Sequence, residues 1–297
     1  MIVNGAALRS IYTSFKTIFN QALETAQPLW QRVATEVPSS TKTEEYKWLG
    51  SVPRLREWIG ERVIQNLSAY SWTIANKSFE ATIGVDRDDI EDDSIGVYRP
   101  LVQQLGMAAA LHPDELIWQL LKDGFTTICY DGQYFFDTDH KDGDGPVQSN
   151  RSNKKLSAAA YGAARAAMMS LRDESGRPLR INPNLLVVAP QNEGVGREIL
   201  YAERLANGAT NIYRNTAELL VVPDLADKPD YWFLLDTTKP VRPLVFQRRK
   251  RPEFVALDSP DDQNVFMKKQ FLYGVDCRDN AGYGLWQLAY GSTGESA

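Results

Sequence analysis

Any chemistry in this chain has to run through very few residues. Its 297 residues include two histidines, His112 and His140, and two cysteines, Cys129 and Cys277. His140 closes the run Phe136-Asp137-Thr138-Asp139-His140, where two carboxylates and an imidazole are the donor types of a divalent-metal site. As a calcium loop the run fails, because Lys141 stands where another oxygen donor is needed and no later glutamate follows. Asp and His are also ordinary loop residues that satisfy their own backbone, and the run reads better that way. His112 precedes Pro113 at a helix junction, a place for packing or capping. Cys129 and Cys277 stand in no metal spacing and read as buried free thiols of a reducing compartment.

The glycine-containing stretches fare no better. Gly282-Tyr283-Gly284 lacks the third glycine of a dinucleotide fingerprint and lies among strand formers. Gly291-Ser292-Thr293-Gly294 reads as a polar tail, unlike the strained strand-to-helix turn that carries a nucleophilic serine. No Ser/His/Asp or Cys/His set stands out. The expectation is a chain without catalytic residues, bound metal or cofactor.

Charge is more informative. The chain has 33 basic and 38 acidic residues, a net charge of −5. A dedicated nucleic-acid binder carries a basic excess, so that class is disfavoured. Between Asp86 and Asp93, six carboxylates (Asp86, Asp88, Asp89, Glu91, Asp92, Asp93) face one Arg87, a local net of −5 equal to the whole chain's. Such density suits a charged surface better than one tuned acid/base pair. The opposite pole is Arg248-Arg249-Lys250-Arg251. That run suits phosphate contacts, a solvated edge strand guarded by charge, or pairing with the acidic segment of a neighbouring copy, which is slightly favoured.

The elements around these residues follow from periodicity. Leu8, Ile11, Tyr12, Phe15, Ile18, Phe19 and Ala22 recur at spacings of three and four, predicting an amphipathic helix over residues 5–26 capped by Asn4. Its apolar stripe must be buried, on its own body or on a neighbour. Residues 46–93 are rich in strand formers interleaved with Arg54, Arg56 and Arg62, with a hairpin turn expected at Ala75-Asn76-Lys77-Ser78. This segment has little core of its own and needs a partner surface. Helix follows over residues 97–124, with a restart at Pro113 and a stop at Gly124. Strands are expected at Phe125–Tyr130 and Tyr134–Phe136, and a Gly-rich loop to Asn153. Helices from Ser157 and from Asn192 to Ala206 alternate with strands 185–188, 219–222 and 232–235. Strands alone are expected from Val241 onward (241–247, 254–257, 265–277, 285–289), with turns at 258–262 and 278–282. Helices and strands segregated in this way indicate an α+β fold.

No apolar run approaches the roughly 20 residues of a membrane span. The start Met1-Ile2-Val3-Asn4-Gly5 shows no signal-peptide pattern.

Several stretches carry a more specific resemblance. They are Trp30-Gln31-Arg32-Val33-Ala34-Thr35-Glu36-Val37-Pro38-Ser39, Pro53-Arg54-Leu55-Arg56-Glu57-Trp58-Ile59-Gly60-Glu61-Arg62, Ile90-Glu91-Asp92-Asp93, His112-Pro113-Asp114-Glu115-Leu116 and Tyr130-Asp131-Gly132-Gln133-Tyr134-Phe135-Phe136-Asp137-Thr138-Asp139-His140. The chain resembles the Mu-like phage major head subunit family, and its order of parts resembles the tailed-phage coat fold of the Hong Kong ninety-seven type. The resemblance implies an N-terminal arm (1–45), an extended β loop (46–93), a peripheral domain with a spine helix (94–150), an α/β axial domain (151–240) and returning strands (241–297). It implies a major capsid protein, assembled in the bacterial host cytoplasm from pentamers and hexamers into an icosahedral shell around double-stranded DNA. The expected partners are further copies, a separate scaffold protein (the arm is too short to contain one), a portal, and decoration or minor capsid proteins. Phe15, Phe19, Trp58, Trp72, the arginines Arg54, Arg56 and Arg62, the carboxylates Asp88, Asp89, Glu91, Asp92 and Asp93, and the run Arg248 to Arg251 are the expected contacts between copies. In the type system a lysine and an asparagine of different subunits can cross-link; no such pair can be placed here. The competing classes are an α/β enzyme with a metal at Asp137, Asp139 and His140, and a tail or decoration component.

Overall fold

Asn4 has extended backbone, and its carboxamide oxygen accepts from the amides of Ala6 and Ala7 at 3.1 and 2.9 Å. α1 (Gly5–Thr25) therefore begins where the sequence predicts. The structure is a computed structural model and describes residues 4–47, 72–92, 94–141, 145–173, 176–205 and 207–296. After α1 come β1 (Ala34–Pro38), β2 (Thr43–Tyr46), β3 (Trp72–Ala75), β4 (Lys77–Asp86), α2 (Arg87–Glu91) and α3 (Arg99–Asp123). Next are β5 (His140–Lys141), β6 (Val147–Gln148), β7 (Arg151–Lys154), α4 (Ala158–Met169), β8 (Leu185–Val188), α5 (Glu193–Tyr201), β9 (Glu218–Val221) and β10 (Trp232–Leu235). The chain ends with β11 (Leu244–Leu257), α6 (Gln263–Lys268), β12 (Gln270–Tyr283) and β13 (Ala289–Ser296).

Two sheets organise two cores. The first sheet runs β1-β11-β12-β4, with β1 parallel to β11 and the other pairs antiparallel. α1 and the first half of α3 cover one face, joining Leu8, Ile11, Phe15, Phe19, Val102 and Leu105 to Val85, Phe254, Phe271 and Tyr273. The second sheet runs β7-β13-β10-β8-β9 and anchors the larger core with α4 and α5. The second half of α3, through Ile117, Trp118 and Leu121, belongs to that larger core. One helix of 25 residues, about 37 Å long, thus bridges both cores.

α1 docks on its own body. Phe15 stands edge-on to Tyr273 at 5.1 Å, Phe19 packs on Phe254 at 5.3 Å, and the Tyr12 hydroxyl donates to the Phe254 carbonyl. Each fully buried Leu, Ile or Phe stabilises by about 1.5–3 kcal/mol, so this stripe needs no neighbour to cover it. The expectation that Phe15 and Phe19 contact another copy is corrected, because both are already buried within the chain. Trp72 is likewise half-buried against the larger core of its own chain.

Several element expectations also change. β3 and β4 are not a hairpin: β3 pairs with β2, and β4 with β12. α3 continues through Pro113 without a restart, and Pro113 is buried. The next residue, Asp114, accepts from the amides of Leu29 and Trp30 at 3.0 and 2.5 Å and ties the α1–β1 connection to the helix. Residues 125–136 form a turn with a single bridge, Ile128 to Tyr134, in place of two strands. α5 ends at Tyr201, short of Ala206. The strands expected at 241–247 and 254–257 are one strand, β11, with irregular register around Lys250. A helix, α6, interrupts the expected strand 265–277, and the turn expected at 278–282 lies inside β12. The tail Gly291–Gly294 is buried in β13, because its small residues fit under Phe125 and Phe136: a Cβ at Gly291 would lie 2.8 Å from the Phe136 ring.

Candidate functional site

His140 belongs to the candidate metal triad of the sequence, but its partners in the fold are other residues. Its Nδ1 faces Asp131 Oδ2 at 2.6 Å and its Nε2 faces Asn150 Oδ1 at 3.1 Å. The Asn150 amide cannot turn over: Nδ2 donates to the carbonyls of Phe135, Ala289 and Trp286, while Oδ1 accepts from the Asp137 amide. Both ring nitrogens thus face acceptors, and the ring stacks on Trp286 at 4.0 Å. Asp131 also accepts from Cys129 Sγ and the Gln133 amide. Burial pushes the Asp131 carboxyl up, but the hydrogen bond and charge of His140 outweigh it and hold the group below its usual range. Burial, with the neighbouring Asp131, drives the Cys129 thiol far upward, which makes it unreactive.

Asp137 and Asp139 are not brought to His140. Asp137 caps the local loop, accepting from Tyr134 N and Thr138 N, and Asp139 is exposed. Ligand atoms of Cys129, Asp131 and His140 lie within 4.8 Å of one another, as do those of His112, Cys277 and Asp279. Both sets are spent on internal bonds. His112 Nε2 meets Asp279 Oδ1 at 3.1 Å and its ring packs on Phe79 at 4.2 Å, joining α3 to β12 and β4. The Cys277 thiol is raised to about 12 by burial and by Asp279. Fully buried and fully partnered, the His140 cluster holds a loop against β13 and offers a substrate no approach.

The features that do face outward are a stem and two charged surfaces. β2 and β3 pair antiparallel and lead into residues 48–71. Beneath them, Gln247 accepts from the Tyr46 hydroxyl at 2.8 Å and donates to Ile74 O and Asn76 Oδ1. Asn76 in turn donates to Ser39 Oγ and Thr41 O. Glu44 gathers Ser40 N, Ser39 Oγ, Thr41 N and Thr41 Oγ1, which holds its carboxyl down at about 2. Sequence reasoning missed this network; Tyr46 and Gln247 are 201 residues apart.

The acidic run is partly consumed locally. Asp86 caps α2, Asp89 accepts from the Tyr98 hydroxyl at 2.5 Å, Arg87 pairs with Glu91 at 2.8 Å, and Asp88 lies 3.7 Å from Lys269. Asp92 is exposed. In the basic run, Arg248 lies 2.8 Å from Glu36 and stacks over Phe246, and Lys250 pairs with Asp276 at 2.7 Å and Glu253 at 3.1 Å. Arg249 and Arg251 are exposed, at the point where β1 stops covering β11. Arg54, Arg56, Trp58, Arg62 and Asp93 lie outside the described residues.

A long helix bridging two cores, one sheet under helices, a second mixed sheet and a two-stranded β2–β3 stem make up the tailed-phage coat fold of the Hong Kong ninety-seven type: the chain is a phage capsid subunit. The Mu-like prophage major head subunit gpT family matches it over residues 8–154, 148–225 and 224–296, and the chain belongs to that family. It is 37% identical to the major capsid protein of Escherichia phage Mu over 99% of this chain and 76% of that protein. The subunit of the bacteriophage JBD30 procapsid superposes with a TM-score of 0.64 at 37% identity, covering 98% of this chain and 76% of that one. The JBD30 capsid decorated with minor capsid protein trimers gives 0.59 at 34% identity, over 68% and 92%. This chain is therefore a structural head protein and no enzyme.

Proposed function

We propose that copies of this chain assemble as pentamers and hexamers into an icosahedral shell around double-stranded DNA, in the host cytoplasm, with a separate scaffold protein and a portal. The observation that carries this reading is the near full-length likeness to the JBD30 procapsid subunit. α1 belongs to the arm, the β2–β3 pair forms the base of the extended loop, the α3-bearing sheet, which includes β4 from the expected 46–93 loop, is the peripheral domain, and the five-stranded sheet with α4 and α5 is the axial domain. Minor capsid protein trimers of the kind that decorate the JBD30 capsid are the expected outer partners.

Each contact between copies is individually modest, and closure comes from many acting together. Asp92 and Asp93 register against Arg249 and Arg251 of a neighbour, with Arg54, Arg56 and Arg62 as further cations. An exposed pair contributes about 0–1 kcal/mol, yet a repeated network selects partner and register. Co-expression with the neighbouring phage genes followed by gradient sedimentation tests both levels. The original chain sediments as shells, while Asp92→Lys with Asp93→Lys stays small and folded. Normal shells from that variant would refute charge registration, and a small species from the original chain would refute the shell.

A further inference from the structure

The first carboxylate in the chain is Glu24; residues 1–23 contain no Asp or Glu, although the whole chain is net acidic. α1 buries its apolar stripe, so this acid-free stretch turns its polar residues to solvent from a fixed position. Arg9, Ser10, Ser14, Thr17 and Gln21, together with Arg99 at the start of α3, line one open groove of about 610 Å³. Lys16, two turns beyond Arg9 on the same helix, is outside the lining of that groove; its ammonium is 5.6 Å from the Tyr12 ring and 3.5 Å from the Tyr12 hydroxyl. Arg9, Lys16 and Arg99 are exposed and pair with no described carboxylate. On the open face of the four-stranded sheet, by contrast, Lys250 is neutralised by Asp276 and Glu253.

The donors suit phosphate. Guanidinium, ammonium, hydroxyl and amide groups are the usual contacts to a nucleic-acid backbone, and they read no sequence. The Thr13 and Thr17 hydroxyls donate to their own helix carbonyls, which leaves Ser10 and Ser14 as the free hydroxyls of the face. Arg9 and Lys16 are seven residues apart, about 10 Å along the helix axis, or roughly three phosphate spacings of one strand.

We infer that this face of α1, completed by Arg99, is the lumenal surface that meets the phosphate backbone of packaged duplex DNA. The inference rests on the shell reading, and it gives an acidic protein a helix face that carries no carboxylate of its own before Glu24.

Fluorescence anisotropy of a short labelled duplex with the purified full chain, titrated with salt, tests it. Three contacts predict a log–log salt slope of roughly −2.7. Reversing the three cations (Arg9→Glu, Lys16→Glu, Arg99→Glu) abolishes low-salt binding, and the neutral set Arg9→Gln, Lys16→Gln, Arg99→Gln weakens it, both with an unchanged circular-dichroism melt. Undiminished binding by the neutral set overturns the inference, as does absence of low-salt binding by the original chain. Loss of shells with scaffold by the triple variant while its DNA binding persists also overturns it and assigns the face to a protein. Shell formation is scored separately by sedimentation, so failure of the shell reading is told apart from failure of this one.

Discussion

Gly106 of α3 lies against the backbone of Phe19 of α1, so close that a Cβ at residue 106 would sit 2.5 Å from the Phe19 carbonyl oxygen and 2.8 Å from the Ala22 methyl. This contact lets the two helices pack as one layer over β11 and β12. Gly106→Val forces them apart, and the overpacking costs about 1–3 kcal/mol. Urea denaturation should show that loss, and limited proteolysis should release α1 first. An unchanged midpoint would mean that the helices meet elsewhere.

Glu44 fixes the base of the stem and brings a pH dependence. Bonds from Ser40 N, Ser39 Oγ and Thr41 N hold its carboxyl at about 2, below the ordinary 4.5. A depressed folded-state value contributes stability above pH 4.5 and loses it as the pH falls towards 2. Glu44→Gln should lower stability at neutral pH and flatten the decline through that window, read as urea midpoints at stepped pH. A variant with the original acid profile would contradict the assignment.

The His140 cluster predicts a loss of stability and no loss of chemistry. His140→Ala leaves Asp131 buried with its charge uncompensated and opens a gap beneath Trp286, a cost on the order of 3 kcal/mol. Asn150→Ala orphans three carbonyls and His140 Nε2 and should destabilise to a similar degree. Both are read by chemical denaturation of the purified chain. Wild-type stability in either would show that the cluster does not hold the loop.

These cases show what was legible in the sequence. The stripe of α1 was, because Leu8, Ile11, Phe15, Ile18, Phe19 and Ala22 repeat with the helix period, and all six are buried. Where the helix docks was not, because one stripe fits its own body or a neighbour equally well. Asp279, Asn280 and Gly282 look like a turn, yet Asp279 binds His112, and Gly282 has no side chain because Ile74 lies over it inside a strand. His140 was picked out with the wrong carboxylates. Asp137 and Asp139 are its neighbours in sequence, but the chain doubles back at Gly132, whose φ is +86°, and brings Asp131 instead. That glycine in Asp131-Gly132 was the available clue. The acidic run looked like one free surface because local pairs such as Arg87–Glu91 and the Asp86 cap depend on a short helix that propensity does not reveal.

Cryo-electron microscopy of the chain co-expressed with its neighbouring phage genes tests the central claim most directly. The account predicts closed icosahedral shells whose five- and six-subunit rings are built around the β8–β9 sheet with α4 and α5. Open rings, helical tubes or a monodisperse monomer under every condition would contradict it.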